Sequence, residues 1–199
     1  MHKFVVTALA LVAALAAGCS SAPTTRYYVV TRLESAAAAP VPGPSVVVAG
    51  VRLPQYLERP QLVTRSGDSQ LQFQEFHLWG GNLAKDLTRV LTENLSQLLR
   101  SDSVVAAPHT LRLRPDFRVE VEVLRFERGD DARVHLTARW WLSRGTDGAP
   151  LAGTTTTLAS EPLPSSPSFD ATVAAMSGAY GELSRGIAQA IARQPKAVP

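Results

Sequence analysis

Apolar and polar positions alternate most regularly in the middle of the chain. In Phe117 to Glu127, Phe117, Val119, Val121 and Val123 alternate with Arg118, Glu120 and Glu122. In Arg133 to Ser143, Val134, Leu136, Ala138, Trp140 and Leu142 alternate with Arg133, His135, Thr137 and Arg139. A period of two is the mark of strands with one buried face, and Gly129-Asp130-Asp131 between them predicts a hairpin. Leu124 and Phe126 break the phase, which predicts a bulge. Pro150 to Leu158 follows the turn Thr146-Asp147-Gly148 and carries four threonines, suited to a third strand. Val46 to Val51 is continuously apolar and β-branched, as expected of a central strand in a sheet covered by helices.

A period near 3.6 appears twice. Leu83, Leu87, Val90, Leu91, Leu95 and Leu98 form one stripe, with Asn82 as a natural N-cap and Lys85, Arg89 and Glu93 opposite. Phe169, Val173, Met176, Tyr180, Leu183, Ile187 and Ile191 form another, started by Ser166 with Pro167 or by Ser168 alone. Ala174, Gly178 and Gly181 keep parts of this second helix slim. Each helix is expected to cover one side of the sheet. Shorter strands are read at Arg26–Leu33, Gln61–Arg65, Gln70–Glu75 and Val104–Ala106. Ser35 to Pro44 and Pro162 to Pro167 read as loops, and Pro54 and Pro60 stiffen the connector between them. The fold class is therefore α/β, a mixed β-sheet with two principal amphipathic helices packed on it.

The N-terminus is a different kind of pattern. After His2 and Lys3, residues 4 to 17 are apolar or small apart from Thr7, and they lead to Cys19, the one cysteine of 199 residues. The run falls short of the roughly 20 residues a spanning helix needs and has the layout of a secretory signal. With Cys19 in place it resembles a bacterial lipoprotein signal, although Ala16 stands where leucine is usual and Leu15 lies one step further back. The resemblance implies cleavage before Cys19 and diacylglyceryl and N-acyl groups on that residue, with no other cofactor. Ser20 and Ser21, by the same resemblance, imply sorting to the outer membrane. The expected organisation is a signal peptide over 1–18, a lipidated tether over 19–25, one domain over 26–193 and a disordered tail over 194–199.

Composition narrows the function classes. The apolar fraction of 45% fits a folded domain. The net charge of +3 includes Lys3, and the arginines are scattered without interleaved stacking aromatics, so nucleic acid is not an expected partner. His77, His109 and His135 stand in separate elements without metal-ligand spacing, and no nucleophile elbow or phosphate loop is present. Gly80-Gly81 before a helix lacks the lysine and hydroxyl of such a loop. Glu120 and Glu122 share a strand face where paired carboxylates can stand, but their alternation with arginines reads as a charged sheet face. An enzyme is not expected. Trp141 interrupts that charged face, which calls either for a covering helix or for a partner contact.

Tyr27-Tyr28, Val47 to Val51, the block Leu53-Pro54-Gln55-Tyr56-Leu57-Glu58-Arg59-Pro60-Gln61-Leu62-Val63, the entry from Trp79 to Leu83 and the closing helix together resemble the ABC-type transport auxiliary lipoproteins (PqiC/YmbA-like). Gly80-Gly81-Asn82 departs from the usual residues after Trp79. The resemblance implies a fold like the anticodon-binding or TolB N-terminal domain. It also implies an outer-membrane lipoprotein on the periplasmic face, serving as adaptor for an MCE-domain protein that bridges the envelope in lipid transport. A homo-oligomeric ring on that partner is implied too. The expected contact residues are Pro54, Tyr56, Leu57, Arg59, Pro60, Trp79 and Trp141. The alternative is a periplasmic carrier with its own apolar lipid cavity.

Overall fold

The computed structural model describes residues 23–34, 43–108, 115–164 and 168–195. Cys19 and the signal run, most of the loop over 35–44, His109, the pair Ser166-Pro167 and the end of the tail lie outside them. The described chain forms one eight-stranded mixed sheet and two helices. The strands are β1 (Arg26–Tyr28), β2 (Val46–Arg52), β3 (Gln61–Ser66), β4 (Gln70–Trp79), β5 (Val104–Ala106), β6 (Phe117–Arg128), β7 (Val134–Arg144) and β8 (Pro150–Ala159). The helices are α1 (Leu83–Leu99) and α2 (Phe169–Ala192), capped by the side chains of Asn82 and Ser168.

Strand β6 organises the sheet because it is long enough to serve three neighbours. One edge pairs antiparallel with β7 along its length, and β7 pairs in turn with β8. The other edge takes β2 in parallel over its first half and β3 near Arg128. Beyond these lie β5 on β2, and the β4–β1 extension on β3. The register slips between Val123 and Arg125, where the break in alternation places a bulge. The β2 valines are buried, as a central strand requires.

The expectation of one helix per face is corrected. Tyr180 of α2 donates to the Leu87 carbonyl of α1 at 3.0 Å, and Asn94 donates to Ser184 Oγ at 3.0 Å. The helices therefore lie side by side, and both cover the face that carries Phe117, Val119, Val121, Val123, Leu136 and Trp140. Burying two amphipathic stripes against that single apolar face stabilises by about 1.5–3 kcal/mol for each fully enclosed Leu or Ile. The last residue of the α1 stripe, Leu98, remains exposed.

The predicted strand Arg26–Leu33 is also corrected. Only Arg26–Tyr28 pairs with another strand, and Val29 to Leu33 then crosses the helix pair as an extended strap. Its amides find side chains instead of a ladder: Val30 N–H donates to Asp86 at 3.0 Å, Thr31 to Ser177 at 3.0 Å and Leu33 to Asn94 at 2.8 Å. Backbone donors must be satisfied somewhere, and here the two helices do it. Gly181 makes room for the strap, since a Cβ there would overlap a terminal methyl of Leu33. Strand β4 in turn runs past its predicted end to Trp79, because His77 to Trp79 pair with β1.

Candidate functional site

The connector between β2 and β3 holds most of the expected contact residues. Pro54 is extended (φ −67°, ψ 149°) and leads into a single 3₁₀ turn, Gln55–Leu57, closed by Leu57 N–H to the Pro54 carbonyl at 2.9 Å. The turn directs Leu57 inward, where it is 2% exposed, and Tyr56 toward the sheet. The phenol of Tyr56 donates to Glu127 Oε2 at 2.7 Å.

Glu127 is the centre of this corner and is fully buried. Arg65 Nε donates to its Oε1 at 2.7 Å, Arg125 Nε to the same oxygen at 2.9 Å, and the Phe126 N–H to Oε2 at 3.0 Å. A carboxylate out of water is tolerable only when its lone pairs are filled in this way. Burial, reinforced by Glu127, pushes the Tyr56 hydroxyl well above the usual phenol range, so it stays a proton donor. Glu127 holds the Arg65 guanidinium firmly charged. At the far end of the connector, Trp79 N–H donates to the Pro60 carbonyl at 2.7 Å. Arg59 stacks over the Phe73 ring at 4.9 Å.

The connector is thus a fixed surface feature. Gln55, Glu58, Arg59 and Pro60 are exposed, Pro54 and Tyr56 are partly so, and Leu57 and Trp79 face the interior. The indole N–H of Trp79 is buried without a hydrogen-bond acceptor.

Trp141 lies apart from the connector. Among the described residues no helix lies on its side of the sheet, and the ring is 36% exposed. It sits beside Gly153 of β8 and Glu120 of β6 in the register, with the guanidiniums of Arg52 and Arg139 at 5.8 and 6.0 Å. Glu120 pairs with Arg118 at 3.2 Å and Arg52 at 3.8 Å, and Glu122 pairs with Arg139 at 3.5 Å. The two carboxylates are neutralised by arginines on an open face.

The remaining titratable groups are dispersed. His77 Nδ1 lies 2.8 Å from the Tyr28 hydroxyl, and burial, with Arg26 nearby, lowers its pKa. His135 bonds Asp131 across the β6–β7 turn, and that bond holds the Asp131 carboxyl below the usual range. Among the described residues no three His, Cys, Asp or Glu side chains stand together as metal ligands, and no helix is long and apolar enough to cross a membrane. An open groove of about 630 Å³ runs between α1 and the β2–β5 edge, lined mainly by Gly50, Val51, Ala84, Thr88, Ala106 and Ala107.

A mixed sheet with two helices on one face and a braced proline-rich connector define an α/β domain. The chain belongs to the family described as the ABC-type transport auxiliary lipoprotein component, whose sequence model matches residues 28–188. Two crystal structures are similar. One, of an uncharacterized protein, is 23% identical over 85% of this chain and 99% of its own, with a TM-score of 0.70. The other, protein XCC0632 from Xanthomonas campestris, is 19% identical over 81% and 92%, with a TM-score of 0.64. At these identities they show the shared fold. No curated protein matches the chain.

The clasp on Glu127 was not legible in advance. The bulge after Val123 puts Glu127 on the charged face, and the residues that bury it come from 62 and 71 positions earlier. The one signal nearby in sequence was Arg125, two residues before Glu127 on the same strand.

Proposed function

We propose that this protein is a non-catalytic lipoprotein of the outer membrane, held by acyl groups on Cys19, that serves an ABC-type transport system as a docking element on the periplasmic side. Its partner in this reading is an MCE-domain protein that bridges the envelope. The observation that carries the reading is the braced connector. Tyr56, Arg65 and Arg125 on Glu127 fix the connector so that Arg59, Glu58 and Pro60 stand at the surface in one geometry. A preordered loop loses little entropy on binding. Trp141 with its flanking arginines offers a second contact on the open face.

Crosslinking in cells followed by recovery of the lipoprotein should bring down the MCE-domain protein. Arg59→Glu, which leaves the Glu127 clasp untouched, should lower that recovery at least about tenfold, as loss of a central charged contact does. Unchanged recovery with both Arg59→Glu and Trp141→Ala removes these surfaces from the reading.

The groove beside α1 favours a second reading, a carrier that holds an acyl chain itself. Native mass spectrometry of the purified protein should then show a phospholipid adduct that is lost when Ala84→Trp fills the groove. A spectrum without an adduct at any desolvation energy excludes it.

A further inference from the structure

The exposure of the first strand and the residue after it is out of keeping with the rest of the fold. Tyr27 is 68% exposed and Val29 53%, more than any other large apolar side chain among the described residues. Phe76, also exposed, lies on β4 immediately before the residues that pair with β1, whereas Phe73 lies further back under Arg59. The remaining exposed examples, Leu98, Leu124 and Trp141, fall singly on other elements. A cluster of exposed apolar groups marks a surface that meets something. Arg26 stands beside it, its side chain largely in solvent and 3.8 Å from Asp170.

Position along the chain says what that something is. Cys19 precedes Pro23 by four residues and Tyr27 by eight. At about 3.3–3.6 Å per extended residue, those stretches reach at most about 14 and 29 Å. A domain tied at Cys19 therefore keeps its β1 end within reach of the headgroups. The chemistry fits that zone: a tyrosine ring with a polar tip, a small apolar side chain and a guanidinium for lipid phosphates.

We propose that the β1–β4 edge, led by Tyr27 and Val29 with Arg26, rests on the lipid surface to which the chain is tethered. This inference depends on Cys19 being the acylated residue. The edge gives the domain a fixed orientation on the bilayer.

The test uses the full lipidated protein, extracted in detergent and reconstituted into phosphatidylethanolamine–phosphatidylglycerol vesicles. With the Cys19 thiol occupied, an introduced cysteine is the single reactive one. Tyr27→Cys, Val29→Cys and, as reference, Leu124→Cys are labelled with a small fluorophore. Quenching by spin-labelled lipid should be at least about threefold stronger at positions 27 and 29 than at 124, as for groups seated at the headgroup boundary, with weaker quenching by aqueous iodide. Equal lipid quenching at all three positions, in protein that floats with the vesicles, overturns the docking edge and leaves the anchor standing. Shielding of 27 and 29 from both quenchers means another protein surface covers the edge, which also overturns it. Protein that fails to float, or a wild-type chain that takes the label, removes the anchor and the docking edge together.

Discussion

Glu127→Ala is expected to destabilise the domain by about 3 kcal/mol, the low end of the range for breaking a buried ion pair. The low end applies because Arg65 and Arg125 keep 20% and 35% of their side chains in solvent and can rehydrate once released. What is lost is the acceptor for two guanidiniums, the Tyr56 phenol and the Phe126 amide together. Urea unfolding should show a lowered midpoint, and the connector should become the first site of proteolysis. Tyr56→Phe should cost only about 1 kcal/mol, the worth of one hydrogen bond. A loss below that for Glu127→Ala would mean the carboxylate is not what holds the connector down.

Gly145→Ala should cost a similar amount, about 3 kcal/mol, from overpacking against main chain. A Cβ at position 145 would overlap the Pro115 carbonyl oxygen and lie 2.7 Å from its carbon. The two segments are joined there by the Gly145 N–H to the Asp116 carbonyl at 2.9 Å, so neither can retreat without losing that bond. Gly181→Ala makes the contrast. The atoms it would meet belong to the Leu33 side chain: a terminal methyl that can rotate aside, and Cγ at 3.1 Å, which needs a shift of a few tenths of an ångström. Alanine also raises helix propensity by up to about 1 kcal/mol. Thermal melts of the two variants should separate clearly. Equal midpoints would contradict the distinction between main chain and a movable side chain.

Much of the fold was legible because it depends on near neighbours in sequence. Asn82 as cap, the stripe from Leu83 to Leu95, the alternation of β6 and β7 and the slip after Val123 each declare themselves within a dozen residues. The placement of both helices on one face was latent in the same pattern. Strands whose other face alternates Arg118, Glu120, Glu122 and Arg139 leave no apolar surface for a helix on that side. The strap was not legible, since β-branched and aromatic residues from Tyr27 to Thr31 look like any strand. Its partners, Asp86, Asn94 and Ser177, lie 56 to 146 residues away. Asn94 was the one hint, an amide within an otherwise leucine-rich stripe. Of the expected contact residues, Leu57 and Trp79 look like surface groups in a proline- and glycine-rich setting, but the 3₁₀ turn points Leu57 inward and Trp79 ends β4 paired with β1, in the core.

The strap also decides how the domain bears load. A three-rung edge strand on its own is a frail mooring. Behind it, however, the chain is made fast to residues 86, 94 and 177 on two separate helices. A tug on the leader is thereby shared among sheet and helices, and the body moves with its leash as one piece.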